Sequence, residues 1–514
     1  MITFITAFIL LIIGYLVYGS YVEKVFGADP SHSVPCDKYY DGVDYIPLPT
    51  WKVYLIQFLN IAGTGPIFGA IQGILFGPAA YFWIVLGCIF GGAVHDYLCG
   101  MISMRKRGTS LPEMVGDELG IAQRNVMRVF SLILLVLVGT VFTVTPAGLL
   151  ANMIGGGSTD ALLGQTMTWV IIILIYYILA TLLPIDKLIG KIYPVFGLVL
   201  LIMAACLCWG IFTYEGEVPE ITGAFTNHHP ASSIPIFPGL FITIACGAVS
   251  GFHGTQSPLM SRCLTNEKYG RPIFYGAMIT EGLVALIWAA AAIKFADSVD
   301  ISSIKLADNF NADVTTPYGR LWALMTDGGN SGANPAVLVN AICKSWLGTL
   351  GAILAVLGVV AAPITSGDTA FRSARLIAAD FMNYKQNKIY KRLILSIPLF
   401  VAAIILVFLD FSVLWRYFAL CNQTLAVFTL WTATCWLARH KKNFWIALIP
   451  TMFMTLVCVS YILIAPEGFG LIPEIGYAFA IIVALIQFFT FMKDKDELPI
   501  KGPEALKHFH RHHT

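Results

Sequence analysis

Residues 53–76 read VYLIQFLNIAGTGPIFGAIQGILF, a run apolar and long enough to cross a bilayer, yet Gly63, Gly65 and Pro66 fall at its midpoint. A spanning helix needs about 20 apolar residues. Inside a helix Gly and Pro cost about 1 and about 3 kcal/mol relative to Ala, and Pro66 also removes a backbone donor. Residues 241–260, FITIACGAVSGFHGTQSPLM, repeat the pattern with Gly247, Gly251, Gly254 and Pro258. Backbone left unpaired at bilayer depth is costly unless protein, water or ligand satisfies it. Two such breaks mark a cavity; the competing explanation is a pair of kinks that help helices pack closely. At a break, a half-helix N-terminus receives an anionic group and free carbonyls receive a cation. On the cavity reading, Ala62, Gly63, Thr64, Gly65 and Pro66 face Ser250, Gly251, Phe252, His253 and Gly254 across a substrate site.

Composition supports this setting. The 514 residues are 57% hydrophobic and 12% charged, against about 25% charged in soluble domains, so lipid is the expected solvent. A net charge of +2 gives no polyelectrolyte signal for nucleic acid. The 11 Cys show no zinc-site or redox spacing; most sit in apolar runs, where Cys behaves as a small hydrophobe. Met1–Tyr18 lacks a basic start and a cleavage site and is expected as a retained helix.

Apolar runs lie near residues 2–18, 53–76, 80–104, 127–152, 166–183, 193–213 and 236–260. Further runs lie near 273–297, 347–364, 393–410, 411–438, 443–464 and 475–492, giving an all-α polytopic membrane protein with about thirteen spans. Residues 334–344 are too short to span and are expected as a small outer helix. With Arg105, Lys106 and Arg107 placed inside, only Lys305 and Arg320 fall in outer loops, and Lys294, Lys344 and Arg416 near outer helix ends. Every other Lys and Arg falls inside, as the positive-inside rule requires; the N-terminus is then outside and the C-terminus cytoplasmic. Outer loops carry Glu215, Glu217, Glu220, Asp297, Asp300, Asp308, Asp313 and Asp327, whose spacing does not fit a calcium loop. The tail from 493, ending HFHRHHT, is polar; its His residues could bind metal adventitiously.

The first broken run would travel outward and open a set of spans over 53–213; the second would travel inward and open another over 236–438. Two such units of opposite orientation are the trace of an inverted repeat, a LeuT-like 5+5 transporter core. Residues 1–52 would add a helix and a cytoplasmic loop, 443–492 two further helices, and 493–514 a tail.

Charges inside a membrane are expensive and usually functional. His95 and Asp96 lie about 22 Å from the outer end of their run and Glu281 about 12 Å into a helix starting inside, at 1.5 Å per residue. A His near carboxylates suits proton coupling, although His95 and Glu281 could equally be hydrogen-bonded structural groups. Residues 362–376, APITSGDTAFRSARL, close the run 347–364 and offer Thr365, Ser366 and Asp368 as oxygen ligands for a hard cation. Ser-Gly-Asp-Thr before a helical stretch also reads as a cap. Arg416, Asn422 and Gln423 make 411–438 partly polar, and Asp410 is a partner for Arg416.

IAGTGPIFGA (61–70), FGGAVHDY (90–97), PIDKLIGKIYP (184–194), SGFHGTQSP (250–258), NEKYGRPIFYGAMITEG (266–282), ITSGDTAFRSAR (364–375) and WRYFALCNQTLA (415–426) resemble the carbon starvation (CstA) family over roughly residues 20–440. The resemblance implies a fold of the amino acid–polyamine–organocation superfamily in a bacterial inner membrane. It also implies uptake of short peptides under carbon starvation, or else pyruvate–proton symport. The chain is shorter than the better-known members. The expected activity is alternating-access uptake of a carboxylate-bearing nutrient, with no cofactor. A proton or sodium ion would couple through Thr365, Ser366 and Asp368 or through His95, Asp96 and Glu281. A metal-dependent membrane enzyme assembling His95, Asp96 and His253 lacks any HExxH-type motif, and no metal site is assigned. Two further functional classes stay open: a channel, which would pass currents beyond a carrier's turnover, and a nutrient sensor, which would bind without counterflow.

Overall fold

The structure is a computed structural model and describes residues 1–155, 161–182, 189–223, 226–230, 235–384, 386, 388–409 and 411–496. The 184–188 part of the PIDKLIGKIYP block, Asp410 and the His-bearing tail from 497 onward lie outside the described residues.

Every regular element among the described residues is helical. Leaving aside the short helices Pro35–Lys38, Leu111–Leu119 and Pro317–Met325 and isolated 3-10 turns, these are in chain order α1 (Ile2–Phe26), α2 (Thr50–Ile61), α3 (Gly65–Phe76), α4 (Ala79–Arg105) and α5 (Ile121–Gly155). Then come α6 (Thr166–Leu182), α7 (Ile189–Thr213), α8 (Ile236–Thr243), α9 (His253–Ser261) and α10 (Glu267–Ser298). The chain ends with α11 (Pro335–Leu354), α12 (Ala361–Met382), α13 (Ile389–Val407), α14 (Phe411–Arg439), α15 (Trp445–Ile464) and α16 (Pro473–Asp494).

Among the described residues eight helices are long and apolar enough to cross a membrane, and nine if the bent pair α2–α3 counts as one span. The other expected spans fall in the shorter α6, the interrupted α8–α9 pair, α11–α12 and α14. The central helices are α4 and α10, each 83% buried along its apolar window, whereas α1 is 28% and α16 22% buried. Outer helices thus turn apolar side chains such as Ile9, Leu16, Ile482 and Phe489 outward, as a lipid-facing ring requires.

Two expectations are corrected. The run 347–364 does not end at the hydroxyl cluster. Its helix breaks at Gly348 (φ 58°, ψ −140°), passes through a π-helical turn at Ala355–Val360 and continues as α12 to Met382. ITSGDT is therefore helix interior rather than a cap, because packing against α2, α5 and α9 overrides the local capping signal. The short helix expected over 334–344 begins at Pro335 and joins this element directly.

Each end of the bundle is tied across the sequence. At one end the Met1 ammonium and the Thr3 backbone N–H (2.8 Å) donate to Glu220, and these bonds hold the Glu220 carboxyl down at about 2. At the other, segment 36–49 closes over the ends of α9 and α12. Leu48 N–H donates to Cys263 O (3.1 Å), Tyr45 O–H to Arg107 O (3.0 Å) and Arg262 Nε to Gly108 O (2.8 Å). Asp44 lies 3.4 Å from Arg372 and 3.8 Å from Arg375, both fully buried. Burial alone would raise the Asp44 carboxyl, but the guanidinium charges of Arg375 and Arg372 hold it below the usual carboxylate range.

Candidate functional site

The first break is short. Ala62 (φ −81°, ψ 52°) makes an inverse γ-turn in which Gly63 N–H donates to Ile61 O at 2.9 Å. Gly65 and Pro66 then start α3, where a proline costs least, and the two halves meet at 51°. Ser366 Oγ lies 3.0 Å from Leu59 O, at the end of α2, and 3.0 Å from Ala362 O in its own helix, so its one proton is shared between the two carbonyls. One serine thus links α12 to a carbonyl that the break released.

The second break is longer, from Ile244 to Phe252, with a turn of its own in which Val249 N–H donates to Ala245 O (2.9 Å), and other helices bond to its two ends. Asn422 Oδ1 on α14 accepts from Phe252 N–H (2.6 Å), and the same amide meets Ser250 Oγ at 3.1–3.2 Å. Trp83 Nε1 donates to Ile244 O (3.0 Å) and Gln423 Nε2 to Phe241 O (3.2 Å). Gly247 sits at φ +92°, which an L side chain rarely adopts.

The two breaks touch. A Cβ on Gly65 would lie 2.3 Å from Cys246 Cβ, and one on Gly247 would lie 3.8 Å from Pro66 Cα. A Cβ on Gly251 would lie 2.1 Å from Asn422 O, so this glycine is required for contact with α14.

Beside the second break lies a buried charged cluster. His95 Nδ1 is 2.7 Å from Asp96 Oδ1, and His253 Nδ1 is 3.0 Å from Asp96 Oδ2. His253 Nε2 is 3.4 Å from Glu281 Oε2, and all four side chains are inaccessible to solvent. His253, read from sequence as a wall of the substrate site, therefore joins the residues read as a coupling group. Cys246 shares this neighbourhood: one ligand atom each from Cys246, His253 and Glu281 lie within 4.8 Å of one another.

A second polar group surrounds α12. Tyr193 O–H donates to Asp368 Oδ2, while Asp368 Oδ1 is buried with no hydrogen-bond partner. Thr365 Oγ1 donates to Ala362 O (2.7 Å) and Thr369 Oγ1 to Ser366 O (3.0 Å), within their own helix. Also buried without a partner are both polar atoms of the Asn60 amide, Thr64 Oγ1, Gln57 Oε1 and Gln256 Oε1. They lie on α2, at the first break and on α9, elements packed on one another and on α12. Buried polar atoms without partners are uncommon and demand a partner of their own. Sequence reading passed over Gln57, Asn60, Tyr193, Gln256 and Cys246; the signal for the first two was an amide inside an otherwise apolar run.

An all-helical membrane body with two interrupted helices meeting beside orphaned polar groups is the architecture of a polytopic membrane transporter. The match to known proteins narrows this class. The chain belongs to the carbon starvation protein CstA family, whose sequence model matches residues 1–161, 149–316 and 331–461. An uncharacterized membrane protein of Haemophilus influenzae is 45% identical over 328 residues, covering 55% of this chain and 88% of that protein. The peptide transporter CstA of Escherichia coli is 25% identical, covering 96% of this chain and 84% of its own length. The pyruvate/proton symporter BtsT of Escherichia coli is 28% identical, over 55% of this chain and 47% of that protein.

Proposed function

We propose that this protein takes up short peptides by alternating access through a LeuT-like 5+5 core of about thirteen spans, in a bacterial inner membrane with its N-terminus outside. The observation that carries this reading is the contact between the two breaks, beside amide, hydroxyl and carboxylate atoms that have no partner among the described residues. A peptide supplies what those atoms lack. Its carboxylate accepts from the N-terminus of α3 at Gly63–Pro66, and its amide groups pair with Asn60, Thr64 and Gln256. The wall from Ser250 to Gly254 faces it. A coupling cation, proton or sodium, passes through Asp368 with Thr365 and Ser366, or through His95, Asp96 and Glu281.

Peptide is the first reading because the relatives named as peptide transporters include two that align with most of this chain, 89% and 96%, although others align with 54–58%, as the pyruvate symporter does with 55%. Pyruvate is the second reading, supported by the same carboxylate-receiving break. The test is reconstitution into liposomes with labelled dipeptide or labelled pyruvate, under a proton gradient, a sodium gradient or neither. Dipeptide accumulation driven by one gradient is the expected result. Pyruvate accumulation alone selects the second reading, and failure to accumulate either overturns both.

A further inference from the structure

His253 is held in an orientation that its own hydrogen bonds leave unexplained. An ionised carboxylate only accepts, so Asp96 Oδ2, 3.0 Å from Nδ1, places the ring proton on Nδ1. The lone pair of Nε2 then faces Glu281 Oε2 at 3.4 Å, acceptor against acceptor. Nε2 and both Glu281 oxygens are buried; the polar groups that face them are the Gly247 backbone N–H, beside Glu281, and the Cys246 thiol, beside His253. Among the described residues neither Asp96 nor Glu281 has an ion pair with Lys or Arg; their only cationic partners are the two histidines. A cation is needed between them.

A proton between Nε2 and Oε2 satisfies one contact, but 3.4 Å exceeds the usual 2.7–3.2 Å for N–H···O. It also leaves the Cys246 thiol with only long contacts, to Ser250 Oγ at 3.5 Å and Asn422 Nδ2 at 4.0 Å. A metal ion uses all three residues. Ligands about 2.0–2.1 Å from a tetrahedral ion stand about 3.3 Å apart, close to the observed Nε2–Oε2 separation. The Cys246 sulfur is in the same neighbourhood, buried and outside any disulfide. Asp96 holding Nδ1 reproduces the carboxylate–histidine arrangement that orients a ligating imidazole, and His95 holds Asp96 in turn at 2.7 Å.

We propose that Cys246, His253 and Glu281 hold a resident divalent ion of the zinc class, bridging the second break to α10, with Asp96 as a positioning residue. Binding releases the thiol proton of Cys246, and that of Glu281 where the carboxyl carries one. The site shares His253 and Glu281 with the transport reading but goes beyond it, in that its ion is resident rather than cargo. Where it is filled, coupling falls to the Asp368 group.

The test uses the full chain purified in detergent, with tail residues His508, His510, His512 and His513 replaced by Ala to remove adventitious ligands. After mild chelation, elemental analysis should find about one zinc per chain. C246S, H253Q and E281Q should each lose it, E281D should recover part of it, and C458S, on α15, should retain it. D96N should weaken zinc binding about 10–100-fold. Cobalt exchanged for zinc should give a thiolate charge-transfer band that C246S abolishes; this reads the ligand even where a variant folds poorly. Zinc well below one per chain, zinc unchanged in C246S and E281Q, or cobalt bound without a thiolate band overturns the proposal. Protein that purifies without zinc yet takes up substrate under a gradient overturns only this inference, whereas stoichiometric zinc without uptake overturns only the transport reading.

Discussion

The two interrupted helices solve one problem with different means. At the first, a three-residue turn bonds the main chain to itself with one added bond from Ser366, and the side chains beside it that lack partners among the described residues are the Asn60 amide, Thr64 Oγ1 and Gln57 Oε1. At the second, a longer break keeps turns of its own, such as Val249 N–H to Ala245 O (2.9 Å), but also takes bonds from Trp83 and Asn422 on other helices, and the side chains beside it are the titratable His253 and Glu281. The first break is neutral and rich in amides, and the second is charged. An inverted repeat would thus supply the same interruption twice while leaving each copy free to acquire its own chemistry.

The comparison can be broken most severely at Gly251. Replacing it by Val drives a side chain into the α14 backbone at Asn422 O, and we expect a cost of at least about 3 kcal/mol with loss of monodisperse protein. Normal thermal melting in detergent would show that α14 does not clamp the second break. Because this change disrupts packing, lost uptake in Gly251→Val does not report on substrate contact, and the same holds for Gly65→Val against Cys246.

Asp44→Ala removes the counter-ion of two buried guanidiniums on α12, the helix that supports the first break. It should cost about 3 kcal/mol, read as a lower melting temperature. Since Asp44 is held below its ordinary range, its contribution is complete above the unfolded carboxylate value and is lost as pH falls through the lowered one. Asp44→Asn should therefore flatten the acid limb of a stability–pH profile; an unchanged limb would detach this contact from stability.

Asn422→Ala leaves the Phe252 N–H unpaired at the second break and should cost about 2 kcal/mol. Ser366→Ala at the first should cost about 1 kcal/mol, since the break there carries its own turn. Melting temperatures in the reverse order would invert the contrast between the two sites.

The breaks were legible in the sequence because Gly and Pro in apolar runs carry a backbone cost that composition alone exposes, and His95, Asp96 and Glu281 were legible because charge at depth is rare. Cys246 was not, since a buried thiol cannot be told from a small apolar residue until its neighbours are known. Tyr193 and Asp44 were hidden for a related reason: each matters through a partner more than a hundred residues away. ITSGDT misled because capping chemistry is local, whereas the packing that carries α12 through it is tertiary.

With no side chain on either glycine, Gly65 against the Cys246 side chain and Gly247 against Pro66 give the two interruptions a common fulcrum. A tilt of α3 presses on the chain leading into α9, and close-packed interiors yield little to such pressure. Halves of the molecule far apart in sequence would then rock as one lever rather than as two hinges.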